Sequence, residues 1–215
     1  MRKTGFLMGA LLAAGLSLSA QAQMGSLTTT YAGGNGQNGN MFDVVAANDI
    51  TVTGFDINCD TAGPETFEVY SKQGSYVGSG TTPGDWTLLA TATDLACNSS
   101  GTPTPLGLNL NVAISAGATQ AFYITGTGSP PDVSYTDGTA VGSVAAQNAD
   151  LQILEGAGVE YPFVSLFEPR IWNGTLYYQL GTLAPQSIPT LPLLGLGILG
   201  GLLSLVAARR LRRAG

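Results

Sequence analysis

Histidine is absent from this chain, and with it the usual general base of enzymes. Without it neither a Ser-His-Asp nor a Cys-His arrangement can be assembled. Charge is scarce too. Charged residues make up 10% of the 215 residues, against roughly 25% in an average soluble domain. Bases are nearly missing from the interior: all fourteen acids lie between Asp43 and Glu168, but of the eight bases only Lys72 and Arg170 lie away from the two ends of the chain. The chain without its two ends therefore sets two bases against fourteen acids, a net charge of −12. Such a domain repels phosphate backbones, which excludes nucleic acid as a partner. Cysteine occurs only at Cys59 and Cys97, too few ligands for a metal centre in a chain lacking histidine. Amphipathic helix patterning is almost wholly missing from the interior.

What is present between Leu27 and Leu180 is apolar alternation with period two. Every second residue of Leu106-Gly-Leu-Asn-Leu110-Asn-Val-Ala-Ile114 is a large aliphatic, the pattern of a strand with one face on a core and the other in water. Trp86, Leu88, Ala90 and Ala92 repeat it, as do Phe67 and Val69, Phe122 and Ile124, and Leu176, Tyr178 and Leu180. Turn signals separate these runs at Ala62-Gly-Pro64, Thr82-Pro-Gly84, Ser129-Pro-Pro131, Asp137-Gly138 and Asn173-Gly174. An all-β chain folded as an antiparallel, jelly-roll-like β-sandwich is expected.

In Ile50-Thr-Val52-Thr-Gly-Phe55-Asp-Ile57-Asn-Cys59 the apolar phase switches from even to odd numbers at Thr53-Gly54. An extra residue there, a β-bulge, keeps one face inward throughout. Phe55, Ile57 and Cys59 then point inward, and Asp56, Asn58 and Asp60 outward. The outward trio matches the opening of a calcium loop, but Thr61 stands where that loop wants glycine and Phe67 where it wants a bidentate Glu. A wet strand face explains the alternation, and a calcium site using loop carbonyls stays open as a different construction.

The interior offers no catalytic constellation. Asp150, Glu155, Glu160 and Glu168 are close in sequence, but their spacing is that of solvated acids in turns, and no enzyme activity or cofactor is expected. Aromatic rings stack on sugar faces, and Tyr70, Tyr76 and Trp172 are the candidate glycan contacts. They carry a second reading, a carbohydrate-binding module that holds exopolysaccharide. Core packing is the commoner use of such rings. The sequons Asn98-Ser-Ser100 and Asn173-Gly-Thr175 mark surface turns in this reading. Arg170 is expected to pair with a neighbouring acid.

The ends carry the strongest signals. Arg2 and Lys3 precede the apolar run Phe6 to Leu18, and Ala20-Gln-Ala22 is a small-x-small cut site, the order of a secretory signal peptide cleaved before Gln23. Export favours a disulfide between Cys59 and Cys97, 38 residues apart. At the other end, Leu191 to Ala208 is an apolar run that as a helix would span about 27 Å at 1.5 Å per residue, close to a bilayer's hydrocarbon core. Arg209, Arg210, Arg212 and Arg213 follow and would hold that end in the cytoplasm.

The order Ile188-Pro189-Thr190-Leu191, apolar run and terminal arginines resembles the IPTL-CTERM sorting domain, a relative of the PEP-CTERM signals of Gram-negative bacteria. Gly195 also matches the family motif, while Leu194 stands where that motif has tryptophan. The resemblance covers the last 28 residues. It implies recognition and cleavage near the motif by an exosortase-type protease, then delivery to the cell surface or matrix, where such proteins accompany biofilm and exopolysaccharide systems. Permanent anchoring by an uncleaved helix, packed through Gly197-x-x-x-Gly201, is the alternative. More loosely, Asn40-Met-Phe-Asp43, Leu151-Gln-Ile-Leu-Glu-Gly156 and Pro169-Arg-Ile-Trp-Asn-Gly174 resemble a recurring secreted β-sandwich module of unassigned role. The expected organisation is a signal peptide over 1–22, a β-sandwich over 23–180, a linker over 181–187 and a sorting tail over 188–215. The expected partners are signal peptidase, the sorting protease and, transiently, the inner membrane, with the β-domain in the periplasm before release.

Overall fold

A computed structural model describes residues 23–61 and 63–181. The signal peptide, all but the first residue of the linker, and the sorting tail lie outside these residues. Within them the chain is an all-β, two-sheet antiparallel sandwich of fifteen strands, with a single 3-10 turn at Pro83–Asp85.

The smaller sheet contains β1 (Met24–Thr28), β4 (Ile50–Asn58), β7 (Pro103–Pro105), β8 (Val112–Ile114) and β15 (Gly174–Leu180). Its order is β1-β15-β4, with β7 and β8 both pairing β4. The larger sheet begins with β2 (Asn35–Gln37), β3 (Gly39–Ala46), β5 (Glu65–Gln73), β6 (Thr87–Leu95) and β9 (Thr119–Gly126). It is completed by β10 (Val133–Asp137), β11 (Val144–Gln147), β12 (Leu151–Leu154), β13 (Gly156–Val159) and β14 (Leu166–Ile171). Its order is β2-β10-β14-β13-β3-β9-β5-β6, with β12 on the free part of β3 and β11 outside it. The chain passes from one sheet to the other repeatedly, so each sheet contributes one wall of a shared core.

Alternate residues of facing strands fill that core: Phe42 and Val44 of β3, Phe55 and Ile57 of β4, Phe67 and Val69 of β5, Phe122 and Ile124 of β9, and Leu176 of β15. At its centre Trp172 stacks on Phe42, centroids 4.3 Å apart and planes 12° apart, while Phe55 meets Phe122 edge-on at 5.2 Å. Such pairs add about 0.5–1.5 kcal/mol each beyond the area they bury.

Four expectations change on contact with the fold. First, β3 and β9 are buried on both faces. Their second face, with Met41, Ala121 and Tyr123, lies under Tyr76, Trp86 and Phe163 from two loops. The sequence alternation could not reveal a cover supplied by distant residues. Second, Leu106 to Ile114 is not one strand. Burial alternates along it, yet only β8 forms a ladder, while Leu106 N and Leu110 N donate singly to Phe55 O and Thr53 O. The interruption sits opposite the bulge of β4, with Gly107 at φ +66°. Third, the phase of β6 shifts opposite Val69 and Tyr70, so Leu89 packs on the core and Leu88 is 47% exposed. Fourth, Asn173-Gly174 is not a surface turn but the point where the chain leaves the larger sheet for β15.

The bulge in β4 is present. Tyr177 opposes Gly54 and Tyr178 opposes Val52, which leaves Thr53 as the extra residue. The Cys59–Cys97 disulfide is present too, with Cα atoms 5.5 Å apart.

Candidate functional site

The described chain starts and finishes at one end of the sandwich. Met24 of β1 pairs with Gln179 of β15, Leu180 N donates to Gln23 O at 2.9 Å, and Gly181 N donates to Asp49 O at 2.7 Å. The opposite end, where Thr28 meets Thr175 and Gly174 meets Ile57, lies about 20 Å away along the strands at ~3.3 Å per residue. Two grooves open there, of about 510 and 590 Å³, and Asp60 and Pro131 line both.

Asp60 follows directly on Cys59, which forms an isolated bridge to Val133. Asp60 N donates to Asp132 O at 2.9 Å, and Ser134 Oγ donates to Asp60 Oδ2 at 2.6 Å. On the first groove's wall Ser100 Oγ lies 3.1 Å from Ser134 Oγ. The second groove adds Glu65 and Asp132. Asp132 is 1% exposed. Its Oδ2 accepts from Asn38 Nδ2 at 2.9 Å, and its Oδ1 has no hydrogen-bond partner. Burial raises its pKa above the ordinary carboxyl value and the Glu65 charge adds to this, while hydrogen bonding from Asn38 and from the Gly128 backbone opposes it. Glu65 Oε1 accepts from Thr66 N at 2.7 Å. Among the described residues no three Cys, Asp or Glu side chains gather as a metal-ligand set.

The outward trio divides. Asp56 and Asn58 are buried, not wet; Asn58 is 0% exposed, while Asp60 keeps some exposed surface. The cover comes from the chain after β1 and from the loop before β7. Gly101 N donates to Asn58 Oδ1 at 2.7 Å, Gly33 N to Asn173 Oδ1 at 2.9 Å, and Asn58 Nδ2 to Asn173 Oδ1 at 3.4 Å. Tyr177 OH donates to Asp56 Oδ2 at 2.8 Å. This asparagine hub, which ties two loops to the grooved end, escaped sequence reading because both residues stood in patterns that usually mark water.

Two of the candidate glycan contacts are corrected. Trp172 is 2% exposed at the centre of the core, and Tyr76 is 1% exposed with its hydroxyl donating to Glu168 Oε1 at 2.8 Å. Neither has a free ring face. Tyr70 is half-buried between Tyr123 and Phe163, and its hydroxyl donates to Glu68 Oε2 at 2.6 Å. Burial, with Glu68 adding to it, raises its pKa above the ordinary tyrosine value.

The four clustered acids are not all solvated. Glu155 is buried and accepts from Ala140 N and Thr139 Oγ1, both at 3.0 Å, so it anchors a loop. Asp150 accepts from Tyr178 OH at 2.7 Å. Arg170 Nε lies 3.3 Å from Asp137 Oδ1, and the guanidinium sits 5.7 Å from the centre of the Tyr135 ring.

No family model matches the chain, and no curated protein matches it significantly. Among solved structures it is similar to the VP2 subviral particle of infectious bursal disease virus, at 12% identity and a TM-score of 0.23, over 80% of this chain and 46% of that one. The chain thus spans a little under half the length of that structure, and a likeness at this level carries no argument about fold or role.

Proposed function

We propose that the chain is an exported, non-catalytic protein of the cell surface or extracellular matrix, sorted through its C-terminal tail and cleaved there by an exosortase-type protease. The observation that carries this reading is the order of Ile188-Pro-Thr-Leu191, an apolar run of bilayer length, and Arg209 to Arg213. A disulfide-bearing sandwich suits an oxidising compartment. The repeated passage between sheets is read as a jelly-roll-like winding. The placement of Gln23 and Gly181 at one end of the sandwich supports the same reading.

Intact-mass measurement on surface-localised protein from the native host tests the proposal. A species beginning at Gln23 and ending near the Ile188–Leu191 motif is expected. Arg213 retained in all of the surface protein would sink the cleavage step and leave permanent anchoring instead.

A further inference from the structure

We propose that Asp132 and Glu65 form a low-affinity calcium site in the second groove, completed by backbone carbonyls and water. The proposal concerns the β-domain alone and stands whether or not the tail is cleaved.

Asp132 supplies the first argument. A carboxylate this buried is costly unless both oxygens are satisfied, yet only Oδ2 has a partner. The free Oδ1 faces the space that Glu65 enters. A Cβ on Gly128 would fall onto Glu65 Oε2 and stand 3.4 Å from Asp132 Oδ1, and a Cβ on Gly126 would fall onto the Asp132 side chain. Two glycines thus leave room for two acids of like charge to converge.

Among the described residues no salt bridge neutralises them. Lys72 Nζ donates to Gln73 O and Ser75 O, and Arg170 is engaged with Asp137. Neutralisation must come from outside the side-chain set. The backbone holds the acids in place beforehand: Asp132 N donates to Gln37 O at 3.0 Å, and Asp132 O accepts from Asp60 N.

An all-oxygen site selects a hard cation. Calcium accepts six to eight oxygens in flexible geometry, whereas magnesium demands a near-ideal octahedron and gives up water reluctantly. Two carboxylates are few, and affinity falls with ligand charge. The site therefore belongs with extracellular modules, whose Kd lies at about 10⁻⁴–10⁻³ M.

The test uses the whole chain in detergent, stripped with chelator and titrated with calcium alone, read by calorimetry and by thermal melting. One calcium per chain is expected, with a rise in Tm that equal magnesium does not reproduce. Glu65→Gln and Asp132→Asn should each weaken binding at least about tenfold, the loss of one charged ligand from two. Should Asp132→Asn fail to fold, Glu65→Gln, at a half-exposed position, carries the test by itself. No heat and no Tm shift up to roughly 10 mM calcium, well above that Kd range, would overturn the proposal. So would binding undiminished by Glu65→Gln, or a Tm that responds to acidification but not to calcium, the mark of a pair that only shares a proton.

Discussion

Asn58 and Asn173 have the sequence setting of surface residues, one on an alternating strand face and one before glycine, and both are buried. Their burial depends on residues distant in the chain, Gly101 lying 43 positions from Asn58 and Gly33 140 from Asn173: Gly33 N reaches Asn173 Oδ1 only because the segment after β1 folds back across β15. Trp172 was misplaced for a related reason. It sits in an irregular stretch between strands, where a ring is free to be ligand platform or core plug, and the choice is made by Phe42 beneath it. Single-residue exposure was thus the least legible property, because it is set by tertiary cover and not by local pattern. Asn173 offers a direct measure of the hub. Its Oδ1 accepts from Gly33 N, Thr136 Oγ1 and Asn58 Nδ2, and its Nδ2 donates to Ile171 O. Asn173→Ala leaves several of these groups unpaired and should lower stability by about 2–3 kcal/mol in urea unfolding. A loss below about 0.5 kcal/mol would mean that water replaces the amide freely.

Elements were more legible than residues. Phe67 and Val69, Phe122 and Ile124, and Leu176 and Tyr178 all turn inward as their alternation requires. The phase change at Thr53-Gly54 located the bulge in β4 to within one residue. The same rule misread Leu106 to Ile114, because alternation reports an extended backbone and says nothing of whether a neighbouring ladder is in register. Opposite a bulge, the neighbour loses that register. The cysteine pairing was legible through count and compartment, while its placement was not. Cys59 follows β4 of the smaller sheet and Cys97 follows β6 of the larger, so the bond joins the two walls of the sandwich. Closing a loop of this length is worth roughly 3–4 kcal/mol in the chain-entropy model. The double variant Cys59→Ala, Cys97→Ala should lose about that amount in urea unfolding, and a loss under about 1 kcal/mol would show that the unfolded chain is already restrained there.

At the scale of the whole molecule, the excess of acids decides how stability responds to pH. Fourteen acids face two bases between Asp43 and Arg170, so self-repulsion grows as carboxyls ionise. Burial raises the pKa values of Asp43 and Asp132 above 3.8. A carboxyl raised in the folded state contributes stability that is fully present below its unfolded pKa, and that contribution is lost as pH rises through the folded value. Both effects have the same sign and act where carboxyls take up protons, so acidification from neutral pH toward the ordinary carboxyl range near about pH 4 should raise the urea midpoint, the reverse of ordinary acid denaturation. A second loss is expected at alkaline pH. Burial pushes Tyr31 up to about 12, and Tyr70, Tyr76 and Tyr123 are displaced in the same direction. The folded chain therefore holds phenolic protons that the unfolded chain gives up above 10, and stability falls through that window. Chelator should be present throughout, because a cation between Asp132 and Glu65 would relieve the same repulsion as a proton and flatten the acid limb. A midpoint that stays level or drops on acidification with chelator present would mean that favourable carboxylate contacts, such as those of Glu155 with Thr139 and Ala140, outweigh burial and charge excess together.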